Sequence, residues 1–456
     1  MSSVSEHARF AIRGVIEGFY GPPWTHQERL DMIDFLGRCG FNTYIYSPKE
    51  DPSLRDRWIQ PHSQQELEQI REWANAASMQ GIAFVYALSP GFGMEYANEA
   101  HLRSLADKFY SLYMLGVRQF ALMYDDIPLQ LMHQIDQEAF SHLAEAHAAT
   151  ASWIWEEIST WPETGKLLVC PTQYSGMGDE PYISYLGRHL PRPVELFSTG
   201  RFVCSPYLTS QDAMRFLTYT QRRPLYWDNY PVNDLAMANE LHIGPLRNRD
   251  HDLCNYAAGY VANAMSRSEC SKIPLMTAAE YLQHPEGYQA DDSWERAIAA
   301  VVGNEQAAAF RRFAEHVQGS FLNDKESPRL LDDLLQFRFH FLQGSRQQAQ
   351  ALIELNKRFV EMESTADELL YGLSNRKLLE ECRPWIEKYR IWGMVGQAAV
   401  SLIEAGIHGK MVQAALHLLR LKRLVKRAEA MPQKVCGNVM SMFVDNVLQE
   451  VKKSKQ

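Results

Sequence analysis

The chain has 456 residues, 46% of them apolar, and a formal net charge of −9, enough to bury a large core and more than one ordinary domain holds, so two domains are expected. That charge offers no broad basic surface for nucleic acid or anionic lipid, and no apolar run nears the roughly 18 residues needed to cross a bilayer. The start, Met1 to Phe10, lacks a signal-peptide core, and the seven cysteines (Cys39, Cys170, Cys204, Cys254, Cys270, Cys382, Cys436) form no Cys-x-x-Cys pair; a cytoplasmic protein with reduced thiols is expected.

After a short tail at 1–9, residues 10–283 repeat one unit: an apolar run, a polar or Gly/Pro break, then a stretch of helical periodicity. Eight runs are read, at Ile12–Ile16, Thr43–Tyr46, Ile82–Leu88, Gln119–Tyr124, Leu167–Cys170, Val194–Phe197, Leu225–Trp227 and Ala257–Val261. Between the first two, Thr25–Gly40 has a Thr cap, Glu28 three residues on, apolar Leu30, Ile33 and Leu36, and a terminal glycine, the marks of a helix; Ser63–Gly81 repeats the device with Glu66. Eight strand and helix units in about 250 residues predict an α/β fold of the (β/α)8 TIM-barrel type, with an open doubly wound sheet as the runner-up.

From 284 to 456 strand signals vanish. Leu330–Asn356, Val360–Tyr371, Pro384–Ile407 and Met411–Met431 carry apolar residues at three and four spacings, which predicts an all-α helical bundle. Lys422, Arg423, Lys426 and Arg427 form a basic stripe, read as a solvated helix face.

Chemistry concentrates at Gln119–Pro128, an apolar run ending at adjacent carboxylates, Asp125 and Asp126, and closed by a proline that cannot continue a ladder. The bland alternative is that one aspartate enters the barrel while the other caps a helix, because neighbouring strand residues point to opposite faces. Other strand ends add Glu17-Gly18-Phe19-Tyr20, Lys49-Glu50-Asp51, Thr172-Gln173-Tyr174, Trp227-Asp228-Asn229 with Asp234, and Asn263. In a barrel these ends converge, giving one pocket with several carboxylates, one lysine, amides and aromatic walls. Such a pocket suits a neutral polyhydroxylated ligand, and paired acids suggest glycosidic bond cleavage. A Schiff-base aldolase using Lys49 is the competing barrel chemistry. His142 and His147, five apart, have the wrong spacing for a zinc helix, and Gly176-Met-Gly178 lacks the third glycine of a dinucleotide loop. No metal and no cofactor are expected.

Five segments carry a resemblance: Arg13-Gly-Val-Ile-Glu-Gly-Phe-Tyr-Gly21, Asn42-Thr-Tyr-Ile-Tyr-Ser-Pro-Lys-Glu-Asp51, Phe120-Ala-Leu-Met-Tyr-Asp-Asp-Ile127, Cys170-Pro-Thr-Gln-Tyr174 and Trp227-Asp-Asn229. Together, and in this order, they resemble the family 84 glycoside hydrolases, the O-GlcNAcases and related β-N-acetylglucosaminidases. The resemblance implies a retaining mechanism in which the substrate's own 2-acetamido oxygen attacks the anomeric carbon and forms an oxazoline. It implies that Asp125 polarises the acetamido N–H and that Asp126 is general acid, then base. Tyr174 would bond the acetamido oxygen, and Trp227 would line the methyl pocket. Gly18, Lys49, Asn229, Asp234 and Asn263 would hold sugar hydroxyls. Ala264 stands where the family commonly has proline, so a different path is expected after Asn263.

The implied substrate is a GlcNAc-bearing protein or glycan, and pairing of two copies through the C-terminal helices is part of what the resemblance implies. Within the enzyme class, a hyaluronidase-like or exo-glycan hydrolase competes; a chitinase-type barrel spaces its acids as Asp-x-Glu and fits less well. A non-catalytic GlcNAc-binding module is the alternative of another class. Two carboxylates side by side do not ionise together easily, so Asp126 is expected to titrate high while Asp125 stays charged.

Overall fold

The computed structural model describes residues 9–341 and 345–453. Eight parallel strands close into a barrel in sequence order: β1 (Ile12–Glu17), β2 (Thr43–Tyr46), β3 (Ala83–Leu88), β4 (Gln119–Met123), β5 (Leu167–Cys170), β6 (Glu195–Ser198), β7 (Leu225–Asp228) and β8 (Gly259–Asn263). All eight runs read from the sequence are strands, with ends shifted by at most two residues. Closure is made by β1 pairing with both β2 and β8, Gly14 lying between Thr43 and Val261. The open sheet is thereby excluded, since neither edge is free.

Alternation along each strand sorts the side chains. Ile16, Ile45, Val85, Ala87, Ala121, Met123, Leu168, Cys170, Phe197, Leu225, Trp227 and Val261 form one buried cluster filling the barrel. The residues between them face the helices: Phe120 packs on Phe109 with ring centroids 4.6 Å apart, and Tyr46 lies 5.2 Å from Trp73. The first two helices form where their caps predict. Thr25 caps His26–Arg38 and Ser63 caps Gln64–Met79, and Glu28 and Glu66 return the bond in full capping boxes.

Not every strand-end acid reaches one pocket. Glu17 is fully buried and takes a bidentate pair from Arg29 (2.8 and 2.9 Å), the Tyr44 hydroxyl (2.8 Å) and the Trp24 N–H (3.0 Å). Asp228 is held by both arms of Arg249 at 2.7 Å and by the Tyr260 hydroxyl. Asp51 accepts from Tyr46 and the Ser53 N–H, and Glu50 is exposed. These acids brace loops and strands. The expectation of a pocket crowded with carboxylates is therefore corrected: a strand-end acid facing the helix layer finds its own cation or hydroxyl there, because an unpaired buried charge is costly.

The described residues divide into two compact units. One holds the chain up to Asp234 with Leu246–Ser268 and Leu275–Ala290; the other holds Leu235–Pro245, Glu269–Pro274 and the chain from Asp291 onward. The second unit is helical, with Asn304–Ala314, Pro328–Phe341, Ser345–Gly372, Arg376–Ile407, Met411–Glu429 and Val439–Lys453 its main elements. The run read at Leu330–Asn356 is shared between two helices, its residues 342–344 lying outside the described ones, and the break expected near 357–359 is absent. Helix Arg376–Ile407 starts eight residues before Pro384 and carries it internally. Its buried Trp385, Tyr389 and Trp392 supply packing that offsets the one backbone bond a proline forfeits. Lys422, Arg423, Lys426 and Arg427 are exposed. No helix among the described residues is long and apolar enough to cross a membrane, and the seven cysteines are free.

Candidate active site

Along β4, Ala121 and Met123 point into the barrel, so the pleat sends Asp125 inward and would send Asp126 outward. It does not, because Asp126 has φ 62°, a left-handed conformation. Aspartate is among the few side chains that tolerate this region, at a strain of about 1 kcal/mol. The kink answers the objection raised by strand alternation: both acids face the same space. Their surroundings differ. The Asp125 side chain is 5% exposed and that of Asp126 is 29% exposed.

Lys49, from the loop after β2, is the shared partner. Its ammonium bonds Asp125 Oδ2 and lies 3.6 Å from Asp126 Oδ2, with the Trp227 ring centroid 5.4 Å away. Although its neighbours in sequence are Pro48, Glu50 and Asp51, Lys49 is buried, and its partners are the acids. Burial pushes the ammonium down, the two carboxylates push it up, and the balance lies above the ordinary lysine range. A lysine held protonated is a poor Schiff-base nucleophile, which argues against the aldolase chemistry.

Asp126 accepts two phenolic hydroxyls, Tyr20 at 2.5 Å and Tyr174 at 3.1 Å. Burial raises its pKa, but Lys49, both hydroxyls and Arg55 outweigh that, so Asp126 sits below the usual carboxylate range. This reverses the expectation drawn from the acid pair alone, which counted the neighbouring charge and not the four donors and cations converging on Asp126. Asp125 Oδ1 is the opposite case. It is buried, and among the described residues no donor reaches it.

Gly18, Trp227, Asn229 and Asn263 form a second cluster, while Asp234 joins the first through Tyr20. Gly18 N–H donates to Asn263 Oδ1 (3.2 Å), Asn263 Nδ2 to Asn229 Oδ1 (2.9 Å), and Trp227 Nε1 to the same oxygen (2.9 Å). Asn263 thus ends β8 in line with the site although alanine follows it. Asp234 accepts the Tyr20 N–H at 2.7 Å; burial raises its pKa, and that amide only partly opposes the rise. A Cβ on Gly18 would stand 2.6 Å from Trp227 Cζ2 and 3.2 Å from Asn263 Oδ1, so glycine here is required by close approach. All nine candidates therefore fall within these two connected sets. The sequence reading missed Tyr20 and Arg55 as partners of Asp126. Tyr20 stood inside the Gly-Phe-Tyr-Gly segment, and its signal was an aromatic hydroxyl at a strand end.

The sequence profile of the beta-N-acetylglucosaminidase family matches residues 13–315, and that of a hyaluronidase post-catalytic domain-like family matches residues 339–444. A mutant of the Thermobaculum terrenum O-GlcNAc hydrolase superposes with a TM-score of 0.92 at 34% identity, covering 97% of this chain and 95% of that one. The Protein O-GlcNAcases of Rattus norvegicus and Mus musculus are each 32% identical over 280 residues, 60% of this chain. The aligned part spans 30% of the length of those two curated relatives.

Proposed function

Because the chain belongs to the beta-N-acetylglucosaminidase family of glycoside hydrolases, we propose that it removes β-linked GlcNAc from O-GlcNAc-modified proteins by substrate-assisted, retaining hydrolysis. The observation that carries this reading is the unlike environment of two adjacent aspartates. Asp125 is sealed, clamped by Lys49 and left with one unpartnered acceptor. An acetamido N–H is the donor that would satisfy it, relieving about 1–3 kcal/mol of desolvation. Asp126 is the more exposed of the two, which suits the group that must reach the oxygen between sugar and aglycone.

The first step follows from these positions. The acetamido oxygen attacks the anomeric carbon as the bond to the aglycone oxygen breaks, and Asp126 delivers its proton to that oxygen. Asp125 accepts the N–H bond and stabilises the positive charge that spreads over the developing oxazoline. Tyr174 turns from Asp126 to the acetamido oxygen and orients it. In the second step Asp126, now a carboxylate, takes a proton from water as the water attacks the same carbon, and the bond from that carbon to the oxazoline oxygen breaks, restoring the acetamide. Two attacks on opposite faces in sequence leave the configuration retained. Trp227 walls the acetamido methyl, and Gly18, Lys49, Asn229, Asp234 and Asn263 hold the ring hydroxyls.

The match of residues 339–444 to a hyaluronidase post-catalytic domain-like family favours a second reading, hydrolysis of a glycan. The deciding experiment is side-by-side hydrolysis of a GlcNAc-modified peptide, chitobiose and hyaluronan by wild type and Asp126→Ala. Preferential release of GlcNAc from the peptide by wild type is the expected result. Preference for hyaluronan or chitobiose selects the glycan reading, and turnover of none selects a binding module.

Close packing at Gly18 gives another expected outcome. Gly18→Ala forces Trp227 off its bond to Asn229 and narrows the methyl pocket, so kcat/KM on an aryl β-N-acetylglucosaminide should fall by about 10²-fold. Wild-type kinetics for this variant would mean that Trp227 is not a fixed wall.

A further inference from the structure

Behind the acid-bearing turn lies a buried network that the reaction does not touch directly. His147, on the helix Leu143–Ile158, is fully buried, and its two ring nitrogens meet two tyrosine hydroxyls: Nδ1 at 2.7 Å from Tyr182 and Nε2 at 2.8 Å from Tyr96. Its ring also stacks on Tyr124 at 3.8 Å and 10°. The Tyr182 hydroxyl accepts the Thr172 N–H at 3.1 Å, and the Thr172 hydroxyl donates to the carbonyl oxygen of Tyr124 at 2.7 Å. That carbonyl belongs to the peptide whose nitrogen is Asp125's. The network thus grips Tyr124 twice, at the ring and at the carbonyl, one residue before the aspartates.

We propose that Thr172, backed by Tyr182 and His147, is a positioning residue that fixes the Tyr124–Asp125 peptide plane and thereby holds the left-handed turn that points Asp125 and Asp126 into one pocket. The inference rests on the reading of those two aspartates given above. Three observations support it together. Asp126 departs from strand geometry at φ 62°, a conformation that persists only when its surroundings determine it. The β4 ladder ends with the Tyr124 N–H on the Cys170 carbonyl at 2.9 Å, so beyond this bond the sheet no longer holds the turn. The next link across to the β5 end is the Thr172 hydroxyl.

His147 is suited to anchoring and not to proton transfer. Burial pushes its imidazole well below the usual histidine range, so it is neutral, with one N–H and one lone pair shared between two hydroxyls. Tyr182 is likewise pushed up by burial and keeps its proton. A neutral chain of this kind, buried at His147, Tyr96 and Tyr182 and half-buried at Thr172, transmits position and not charge.

The test uses the full chain with Thr172→Val, which keeps the side-chain shape and removes the hydroxyl, Thr172→Ser, which restores it, and Tyr182→Phe, alone and combined with Thr172→Val. Rates are taken per folded molecule, with folding followed by circular dichroism. The expected result is a fall of about 10-fold or more in kcat for Thr172→Val with KM changed much less, since misplacement by a fraction of an ångström acts on the transition state more than on binding. Serine should recover most of the loss. The double variant should lose no more than the worse single one, because the two residues act in series. Unchanged kcat in Thr172→Val, or a loss that serine does not recover, overturns the proposal, as does full additivity in the double variant. Failure of the underlying reading is distinguishable: there Asp126→Ala itself would show no dependence on leaving group, whatever Thr172 does.

Discussion

Replacement of Asp126 by alanine is expected to reduce kcat/KM on a GlcNAc-modified serine or threonine peptide by about 10²–10⁴-fold, and far less on an aryl glycoside with an acidic phenol. The serine alkoxide is a poor leaving group and cannot depart without a proton, whereas an activated phenolate needs little help. Equal losses on both would remove Asp126 from the acid role. The ionisation of this residue adds a pH signature. Lys49, Tyr20, Tyr174 and Arg55 outweigh burial and hold Asp126 below the usual carboxylate range, so it is ionised at neutral pH. Under the proposed mechanism, substrate changes two of those conditions in the same direction: the aglycone excludes water, and Tyr174 leaves Asp126 for the acetamide. Both raise the pKa. The kcat/KM profile reports the free enzyme and should fall at lower pH, while the kcat profile reports the complex and should fall at higher pH. Coincident limbs on the peptide substrate would show that binding leaves Asp126 unperturbed.

Asp125→Asn is the second large effect, with an expected loss of about 10²–10³-fold in kcat on every substrate regardless of leaving group. Asparagine nearly preserves shape, yet in the proposed mechanism it removes the charge that would stabilise the cationic oxazoline and the full acceptor strength that would polarise the acetamide. It also releases Lys49. With one carboxylate gone, the ammonium 3.6 Å from Asp126 acts on that residue without competition, and like-charge repulsion disappears. Both changes lower the pKa of Asp126, so the alkaline limb should move toward lower pH. A limb that stays in place would mean the two aspartates titrate independently.

The fold was legible in the sequence because its signals are local and periodic. Each strand is a short apolar run, and both capping boxes are four-residue patterns whose bonds depend on nothing beyond their own helix. The site was legible as a set of residues but not as a set of contacts. Glu17 and Asp228 close their strands and Asp51 and Asp125 lie just beyond theirs, yet only Asp125 meets Lys49; the others meet Arg29, Tyr46 and Arg249. Alternation from Ile16 and Trp227, which fill the barrel, turns Glu17 and Asp228 to the helix layer, whereas the faces of Asp51 and Asp126 depend on backbone angles beyond the strand, where periodicity stops. The same limit hid the depression of the Asp126 pKa. That shift is produced by Lys49, Tyr20, Tyr174 and Arg55, residues 77, 106, 48 and 71 positions away along the chain. The long helix Ser345–Gly372 was under-read for a milder reason, since Asn356, Lys357 and Arg358 interrupt its apolar spacing without interrupting its backbone.

The left-handed residue at the end of β4 has a further effect on how the machinery tolerates motion. When an acid pair is assembled from two different strands, any shear or breathing of the barrel changes the separation of the pair and detunes it. Here both groups ride on one strand end, joined by a single peptide link whose geometry is stiff. Thermal flexing of the sheet carries them together as one body. In the proposed mechanism, the offset between the group that steadies the acetamide and the group that protonates the aglycone is thus set within one strand end, by a single peptide link and the turn around it, and not by the spacing of two strands.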